Sequence, residues 1–195
     1  MTVDGRARDQ TQNPSAAPGD LELVRSFVNT LDIEAGTDRL ATPRGTRAWL
    51  AGHGHRLART PSVADLRQLV ALREAIREVA ASRETQAEAA AIAALDLIAA
   101  AHPVTVRLSA GLLPFAPGDG FVERVLGIVA AATIDGTWER LKACPNDRCR
   151  WLFYDHSRNH SRAWCSMDVC GARSKMRTYR ARRRAEDAVA PGGDG

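Results

Sequence analysis

Apolar residues recur at intervals of three and four along most of the chain, which predicts a mainly helical protein. In the first such segment the repeating positions are Leu23 or Val24, Phe27, Val28 and Leu31. They predict a core helix with Asp20 as a candidate N-terminal cap. The pair Thr42-Pro43 then predicts a shorter helix that ends at Gly52, with Trp49 as a core anchor.

A longer amphipathic helix is predicted to begin at Thr60-Pro61. Its apolar stripe is formed by Leu66, Leu69, Leu72, Ile76 and Val79. Its opposite face is expected to be solvated and carries Arg67, Glu74, Arg77 and Glu78. Residues 85–101 are rich in alanine and predict a closely packed partner helix, so the two helices are expected to form an antiparallel pair.

Strand-like alternation replaces the helical period after Pro103. Residues 104–108 and 112–115 predict a β-hairpin, with Pro114 at its edge or end because proline cannot donate to a ladder. The helical period returns from Phe121 to about Ile134, and Asp135-Gly136 ends that helix. The pattern therefore predicts a helical domain with a small hairpin over residues 20–136.

Catalytic motifs are missing from this domain. It contains no glycine-rich phosphate loop, no Gly-x-Ser-x-Gly elbow and no His-Glu-x-x-His pair. His53 and His55 have no carboxylate partner at a characteristic spacing, and these two and His102 are interpreted as surface loop histidines. The chain is therefore not expected to be an enzyme.

Composition and charge divide the chain. Residues 1–19 have no long apolar run and are interpreted as a disordered leader of a cytoplasmic protein, with no membrane segment expected. Residues 1–141 carry 15 basic and 17 acidic side chains, whereas residues 142–184 carry 12 basic and 3 acidic ones. The positive charge therefore belongs to a C-terminal module over residues 137–185, followed by a disordered tail over residues 186–195.

All four cysteines lie in that module as two short pairs, Cys144 with Cys149 and Cys165 with Cys170. In a reducing cytoplasm, cysteines spaced in this way are metal ligands rather than disulfide partners. They predict a structural Zn²⁺ site with a treble-clef-like arrangement, in which two turns and a helix enclose the ion. Because four thiolates complete a tetrahedral shell, His156 and His160 are not expected to be ligands.

A basic helix is predicted from about Asp168 to Arg184. One face carries Val169, Ala172, Met176 and Tyr179, which are expected to pack on the aromatic residues of a hairpin through residues 151–154. A second face carries a line of arginines, and like charges at this spacing favour a polyanionic partner. The polar segment that joins the cysteine pairs adds side chains suited to base and phosphate contacts. The predicted nucleic-acid contacts are Arg158, Asn159, Arg162, Arg173, Lys175, Arg177, Arg180, Arg182, Arg183 and Arg184.

The run from Cys144 through Lys175 closely resembles the CGNR zinc finger, and residues 27–32 resemble the opening of the ABATE domain that precedes this finger in bacterial proteins. The resemblance implies a stress-related bacterial transcription regulator that binds DNA through a zinc module. In this chain the tetrad that names the finger reads Cys170-Gly171-Ala172-Arg173. Zinc ligation is expected to survive, whereas any contact that the family asparagine makes is lost.

The sequence thus predicts an α+β, mostly helical protein whose N-terminal domain senses a small-molecule effector or mediates assembly. Its zinc module is expected to bind DNA, as a homodimer and in association with the nucleoid, because one small finger contacts few base pairs. Two alternatives stay open. The module could bind RNA or a protein, with its aromatic rings stacking on bases if they are exposed, or its thiolates could act as a redox switch.

Overall fold

The computed structural model describes residues 15–82, 86–103 and 120–189. Within this part of the chain six α-helices and four short strands form an α+β fold. The helices are α1 (Leu21–Val28), α2 (Pro43–Gly52), α3 (Val63–Ala81), α4 (Gln86–Ala101), α5 (Phe121–Ile134) and α6 (Ala172–Val189). The strands are β1 (Leu31–Asp32), β2 (Thr37–Asp38), β3 (Leu141–Ala143) and β4 (Leu152–Tyr154).

Three aromatic rings form the centre of the helical domain. Phe27 of α1 lies edge-on to Phe121 of α5, with ring centroids 5.1 Å apart, and Trp49 of α2 lies within 5.9 Å of both. All three rings are buried. Such edge-to-face contacts add to the stability that comes from burying apolar area. Trp49 is therefore the core anchor that its position in a short amphipathic helix predicted.

The helix starts show which predicted caps form. Thr42 caps α2 by accepting a hydrogen bond from the backbone amide of Gly45, as expected. The start of α3 lies later than predicted, because Ser62 and Asp65 form a reciprocal capping box and the helix begins at Val63. Asp20 precedes α1 but its side chain makes no capping hydrogen bond, so that prediction is wrong.

Helices α3 and α4 pack against each other as an antiparallel pair, as predicted. Gln68 near the start of α3 contacts His102, which directly follows α4. On α4, however, Leu97 is 77% exposed and Ile92 is 44% exposed. The alanine-rich helix therefore leaves part of its apolar surface outside the core.

Two antiparallel hairpins complete the fold. In the first, β1 pairs with β2 so that Leu31 lies opposite Asp38. In the second, β3 pairs with β4 so that Leu141 lies opposite Tyr154. The hairpin predicted over residues 104–115 lies outside the described residues.

Buried arginines are a feature that the pattern did not predict. Arg77 was expected on the solvated face of α3 but is 1% exposed, and Arg25 and Arg73 are equally enclosed. Arg77 pairs with Glu74 and donates from Nη2 to the carbonyl oxygen of Val28 at 2.6 Å. Burial lowers the pKa of Arg77, although Glu74 opposes this change. These hydrogen bonds attach α3 to the end of α1.

The zinc module shares its core with the helical domain instead of forming a separate appendage. Leu141, Leu152 and Tyr154 of the second hairpin belong to the same apolar cluster as Phe27 and Trp49. None of the described helices is both long and apolar enough to cross a membrane.

Candidate metal centre and nucleic-acid interface

The first cysteine pair lies in a tight turn after β3. The backbone amide of Cys144 donates to the carbonyl of Trp151 at 2.9 Å, and the amides of Cys149 and Arg150 both donate to the carbonyl of Asn146. Arg150 adopts a left-handed conformation with φ 52°, which closes the turn. The turn brings the sulfurs of Cys144 and Cys149 close together.

The second pair lies at the base of α6. Ser166 caps a single π-helical turn, Met167–Gly171, by accepting from the amide of Val169, and its carbonyl accepts from the amide of Cys170. Gly171 is buried, and a Cβ at this position would lie 3.0 Å from the sulfur of Met167. The glycine therefore permits the turn to pack closely before α6 begins at Ala172.

The four cysteine sulfurs form one compact cluster. All lie within 4.8 Å of one another, with 3.5 Å between the sulfurs of Cys149 and Cys165 and 3.7 Å between those of Cys165 and Cys170. Tetrahedral zinc with Zn–S bonds of about 2.3 Å places its sulfurs about 3.8 Å apart. No disulfide joins these cysteines. The donor set and its spacing therefore fit Zn²⁺.

The electrostatics of the cluster favour a bound cation. Hydrogen bonds from Cys149 and Cys165 lower the pKa of Cys144 to about 2. The same contact with Cys144 raises the pKa of Cys149 to about 12, and the pKa of Cys165 is raised further still. Thiolates this close repel one another, so the cluster alone holds one charge readily and resists the others. A divalent cation stabilises all four thiolates, and the cluster is a structural zinc site.

Arg162 was predicted to contact nucleic acid, but its guanidinium is instead hydrogen-bonded within the protein next to the zinc site. Its guanidinium donates to the carbonyl of Trp164 at 2.9 Å, to the hydroxyl of Ser15 at 2.6 Å and to the carbonyl of Cys165. The same group lies over the ring of Phe153, with 5.1 Å to the centroid. These contacts fix the backbone at the third zinc ligand.

Asp155 organises the loop between the two cysteine pairs. Its buried carboxylate accepts from Lys142 Nζ at 2.7 Å, from both the amide and the hydroxyl of Ser157, and from the amide of Arg162. Burial favours the neutral acid, but these donors outweigh burial and hold the pKa of Asp155 below its usual range. Asp155 therefore acts as a structural carboxylate.

Residues 1–19 were predicted to be a disordered leader, but Ser15 and Ala16 at its end contact the zinc module. The carbonyl of Ser15 accepts from the amide of Tyr154, and the hydroxyl of Ser15 donates to the carbonyl of Cys165. His156 contacts the carbonyl of Ala16 at 2.7 Å, so His156 is engaged away from the metal. Tyr154 is the last residue of β4, and its hydrogen bond to Ser15 adds a backbone contact at the end of that strand.

Helix α6 projects from the body of the protein. Met176 is 51% exposed and Tyr179 is 55% exposed, so the predicted packing of this stripe on the hairpin aromatics is wrong. Phe153 and Tyr154 are instead buried against the helical domain and the loop after β4. The helix also continues to Val189, four residues into the predicted tail.

The predicted nucleic-acid residues fall into three groups. Arg162 is engaged as described, and Arg173 forms an ion pair with Glu34 of the β1–β2 turn, 2.5 Å apart. The others are exposed, and none of them pairs with a residue whose side chain the structure describes. They are Arg158 and Asn159 in the loop, and Lys175, Arg177, Arg180, Arg182, Arg183 and Arg184 on α6.

Asn29 is a residue of the interface between the domains that the sequence pattern did not single out. Its side-chain amide donates to the carbonyl of Leu152 at 2.9 Å, and its side-chain oxygen accepts from the amide of Leu152 at 2.8 Å. Arg150 adds an ion pair to Glu78 of α3 at 2.8 Å. The sequence offered one signal for this role, an asparagine directly after a predicted helix. An asparagine at that position is also a common C-terminal cap, so the signal was ambiguous.

A helical domain joined through a common core to a four-cysteine zinc finger with a basic helix is the class that this fold and site define. Residues 21–136 match the ABATE family model, described as "Putative stress-induced transcription regulator", and residues 140–183 match the CGNR zinc finger model. The chain belongs to the ABATE family and carries a CGNR zinc finger. No curated protein matches it in a sequence comparison.

Proposed function

We propose that the protein is a zinc-dependent DNA-binding transcription regulator whose α6 makes the principal DNA contact. The observation that carries this proposal is the exposed basic helix anchored at the zinc site. Between Ala172 and Arg184 it has seven basic residues and no acidic one. Such a helix is destabilised by its own charge in isolation, and a polyanion relieves that repulsion.

The dimensions of α6 suit the major groove. With 18 residues it extends about 27 Å, and an α-helix with its side chains fits a groove about 12 Å wide. At 100° per residue Arg177, Arg180 and Arg184 share one face, while Lys175 and Arg182 lie on the other side of the Met176–Tyr179 stripe. Basic side chains therefore flank both edges of the helix, where the two phosphate backbones would lie.

The regulatory part of the proposal rests on the family description. The printed words support a role under stress. We further propose that the protein acts in the cytoplasm of a bacterium, in association with the nucleoid. A homodimer would double the few base pairs that one finger contacts. We also propose that the chain is not an enzyme, because four thiolates leave zinc no open position for water or substrate.

Salt dependence tests DNA binding by α6. The triple variant Arg177→Ala, Arg180→Ala and Arg184→Ala is expected to reduce the slope of log affinity against log salt by about 0.9 for each lost phosphate contact. The matched control replaces three exposed arginines of the helical domain, Arg44, Arg47 and Arg67, with alanine. Equal slopes for the wild type and the α6 variant would overturn the assignment of α6.

Redox control is a second candidate, because Cys149 and Cys165 are partly exposed and their sulfurs lie 3.5 Å apart. A peroxide would take two electrons from this pair, form one disulfide, be reduced to water or an alcohol, and release the zinc. Zinc release measured with a chromogenic chelator during peroxide titration tests this. Retention of zinc at peroxide concentrations that oxidise free cysteine would exclude it. Stacking of RNA bases on Phe153 and Tyr154 is disfavoured because both rings are buried, whereas Trp151 and Trp164 are partly exposed.

A further inference from the structure

A cavity of about 460 Å³ lies in the helical domain, away from the zinc site. It is open to solvent on one side and is lined by the loop after α2, the first turns of α3, the end of α4 and the start of α5. Its size falls within the range of small-molecule sites in proteins. Neither the zinc centre nor the basic helix uses this cavity.

The walls of the cavity are mostly apolar. Leu50, Leu57, Leu69 and Val122 contribute aliphatic surface, and Phe121 contributes its ring. Leu69 and Phe121 also belong to the core, so this wall is rigid. A preformed apolar cavity favours ligands that replace water with hydrocarbon or aromatic surface.

At one end of the cavity three side chains, Gln68, His102 and Glu123, are linked by hydrogen bonds. His102 Nδ1 lies 2.7 Å from Glu123 Oε1, and His102 Nε2 contacts the side-chain amide of Gln68. Gly120 makes this placement of Glu123 possible, since a Cβ at Gly120 would lie 1.9 Å from Glu123 Oε2. His102, which was interpreted from the sequence as a surface loop histidine, therefore has a carboxylate partner 21 residues further along the chain.

His55 supplies a polar group that remains available to a ligand. Its ring packs edge-on against Phe121 with 5.6 Å between centroids, and no described residue hydrogen-bonds its imidazole. Burial, together with the charge of Arg124, lowers the pKa of His55. The neutral ring offers one donor and one acceptor at pH 7.

The fixed carboxylates of the cavity are already paired. Asp65 accepts both guanidinium nitrogens of Arg59 at 2.6 and 2.9 Å, and Glu123 is bound to His102. A cationic ligand would therefore have to displace an existing partner. Of the two arginines that line the cavity, Arg59 is paired with Asp65 and Arg56 is exposed to solvent. An anion inside the cavity would therefore lie mainly against apolar walls and a neutral imidazole, so its desolvation would be poorly compensated.

From these contacts we propose that the cavity binds a small, uncharged, mainly apolar ring compound that carries one hydroxyl or carbonyl group. The ring lies against Phe121 and the aliphatic wall, and the polar group hydrogen-bonds His55. This site is independent of DNA binding, so the two proposals stand or fall separately.

The test compares 2-naphthol with 2-naphthoate, which share a ring system and differ in charge, on the zinc-loaded full-length chain by calorimetry. We expect saturable 1:1 binding of 2-naphthol and at least about tenfold weaker binding of 2-naphthoate. Leu57→Trp fills the cavity and should weaken naphthol binding at least about tenfold, while His55→Phe, which removes the polar group and keeps the ring, should weaken it about fivefold.

The matched control is Leu97→Trp, the same substitution at a residue that is 77% exposed on α4. It should leave binding unchanged, and melting temperatures confirm that each variant is folded. The proposal is overturned if 2-naphthol does not bind below about 1 mM, if 2-naphthoate binds as tightly, or if Leu57→Trp and Leu97→Trp bind alike.

Discussion

Two charged residues, Asp155 and Arg162, hold the loop between the cysteine pairs in place. The buried carboxylate of Asp155 joins four donors, and the guanidinium of Arg162 joins Ser15 to the backbone of Cys165. Both lie between the two cysteine pairs. The spacing of the zinc ligands therefore depends on hydrogen bonds that do not involve the cysteine sulfurs.

Replacement of Asp155 with asparagine should destabilise the protein by about 3 kcal/mol, because Lys142 loses the carboxylate that compensates its charge in a buried setting. Urea unfolding of the zinc-loaded protein measures this loss. Asp147→Asn, the same change at an exposed site in the first turn, should cost less than about 0.5 kcal/mol.

The pH dependence of this loss follows from the lowered pKa of Asp155. A carboxylate with a lowered folded-state pKa contributes its full stability above its unfolded value of about 3.9 and loses it as the pH falls through the folded value. The difference between wild type and Asp155→Asn should therefore stay constant between about pH 5 and pH 8. A difference that shrinks within that interval would show that Asp155 is protonated near neutrality.

At the scale of elements, α6 is the one described helix that contributes almost nothing to the core. Its first turn is held by the π-helical turn that carries Cys170, and Arg173 attaches it to Glu34 of the first hairpin. Beyond Arg173 the described side chains are exposed, except for the half-buried Ser174. Arg173, the first arginine of the basic face, is therefore already paired with Glu34.

Glu34→Gln should free Arg173 for phosphate and increase DNA affinity about two- to threefold at low salt, with a salt slope steeper by about 0.9. Fluorescence anisotropy with a labelled duplex measures both quantities. Asp96→Asn makes the same charge change on α4 and serves as the control. No difference between the two variants would mean that Glu34 and DNA do not compete for Arg173.

Elements with local signals could be predicted well, whereas those that depend on distant contacts could not. The bounds of α2 and α5 follow from Thr42-Pro43 and from Gly120 and Asp135, and the zinc ligands follow from their spacing. Burial of Arg77 depends on the carbonyl of Val28, 49 residues away, which no periodicity reveals. The Met176–Tyr179 stripe resembles a packed face, yet the aromatic residues expected to cover it are buried elsewhere.

At the scale of the whole molecule, the zinc module and the helical domain share one hydrophobic core, so we expect them to unfold together. Strand β4 is buried in the common core, Asn29 pairs with the backbone of Leu152, and Ser15 joins the zinc loop. The boundary between the two family matches at residues 136–140 therefore separates sequence motifs but not the hydrophobic core.

Leu152→Ala should lower the stability of the whole chain by about 3 kcal/mol, because it removes a fully buried side chain from the common core. Thermal unfolding followed by tryptophan fluorescence and by far-ultraviolet circular dichroism should show one shared transition at a lower temperature. The exposed Leu97→Ala is the control and should leave the transition unchanged. Two separate transitions in the wild type would contradict the common core.

The central claim is that zinc at Cys144, Cys149, Cys165 and Cys170 holds α6 in a form that binds DNA. Its most direct test is the affinity for a labelled duplex at fixed salt as zinc is removed with a chelator and then restored. Because structural zinc contributes folding free energy, DNA affinity should fall at least about tenfold on removal and recover on addition of one equivalent of zinc. Unchanged affinity in the zinc-free protein would contradict the claim.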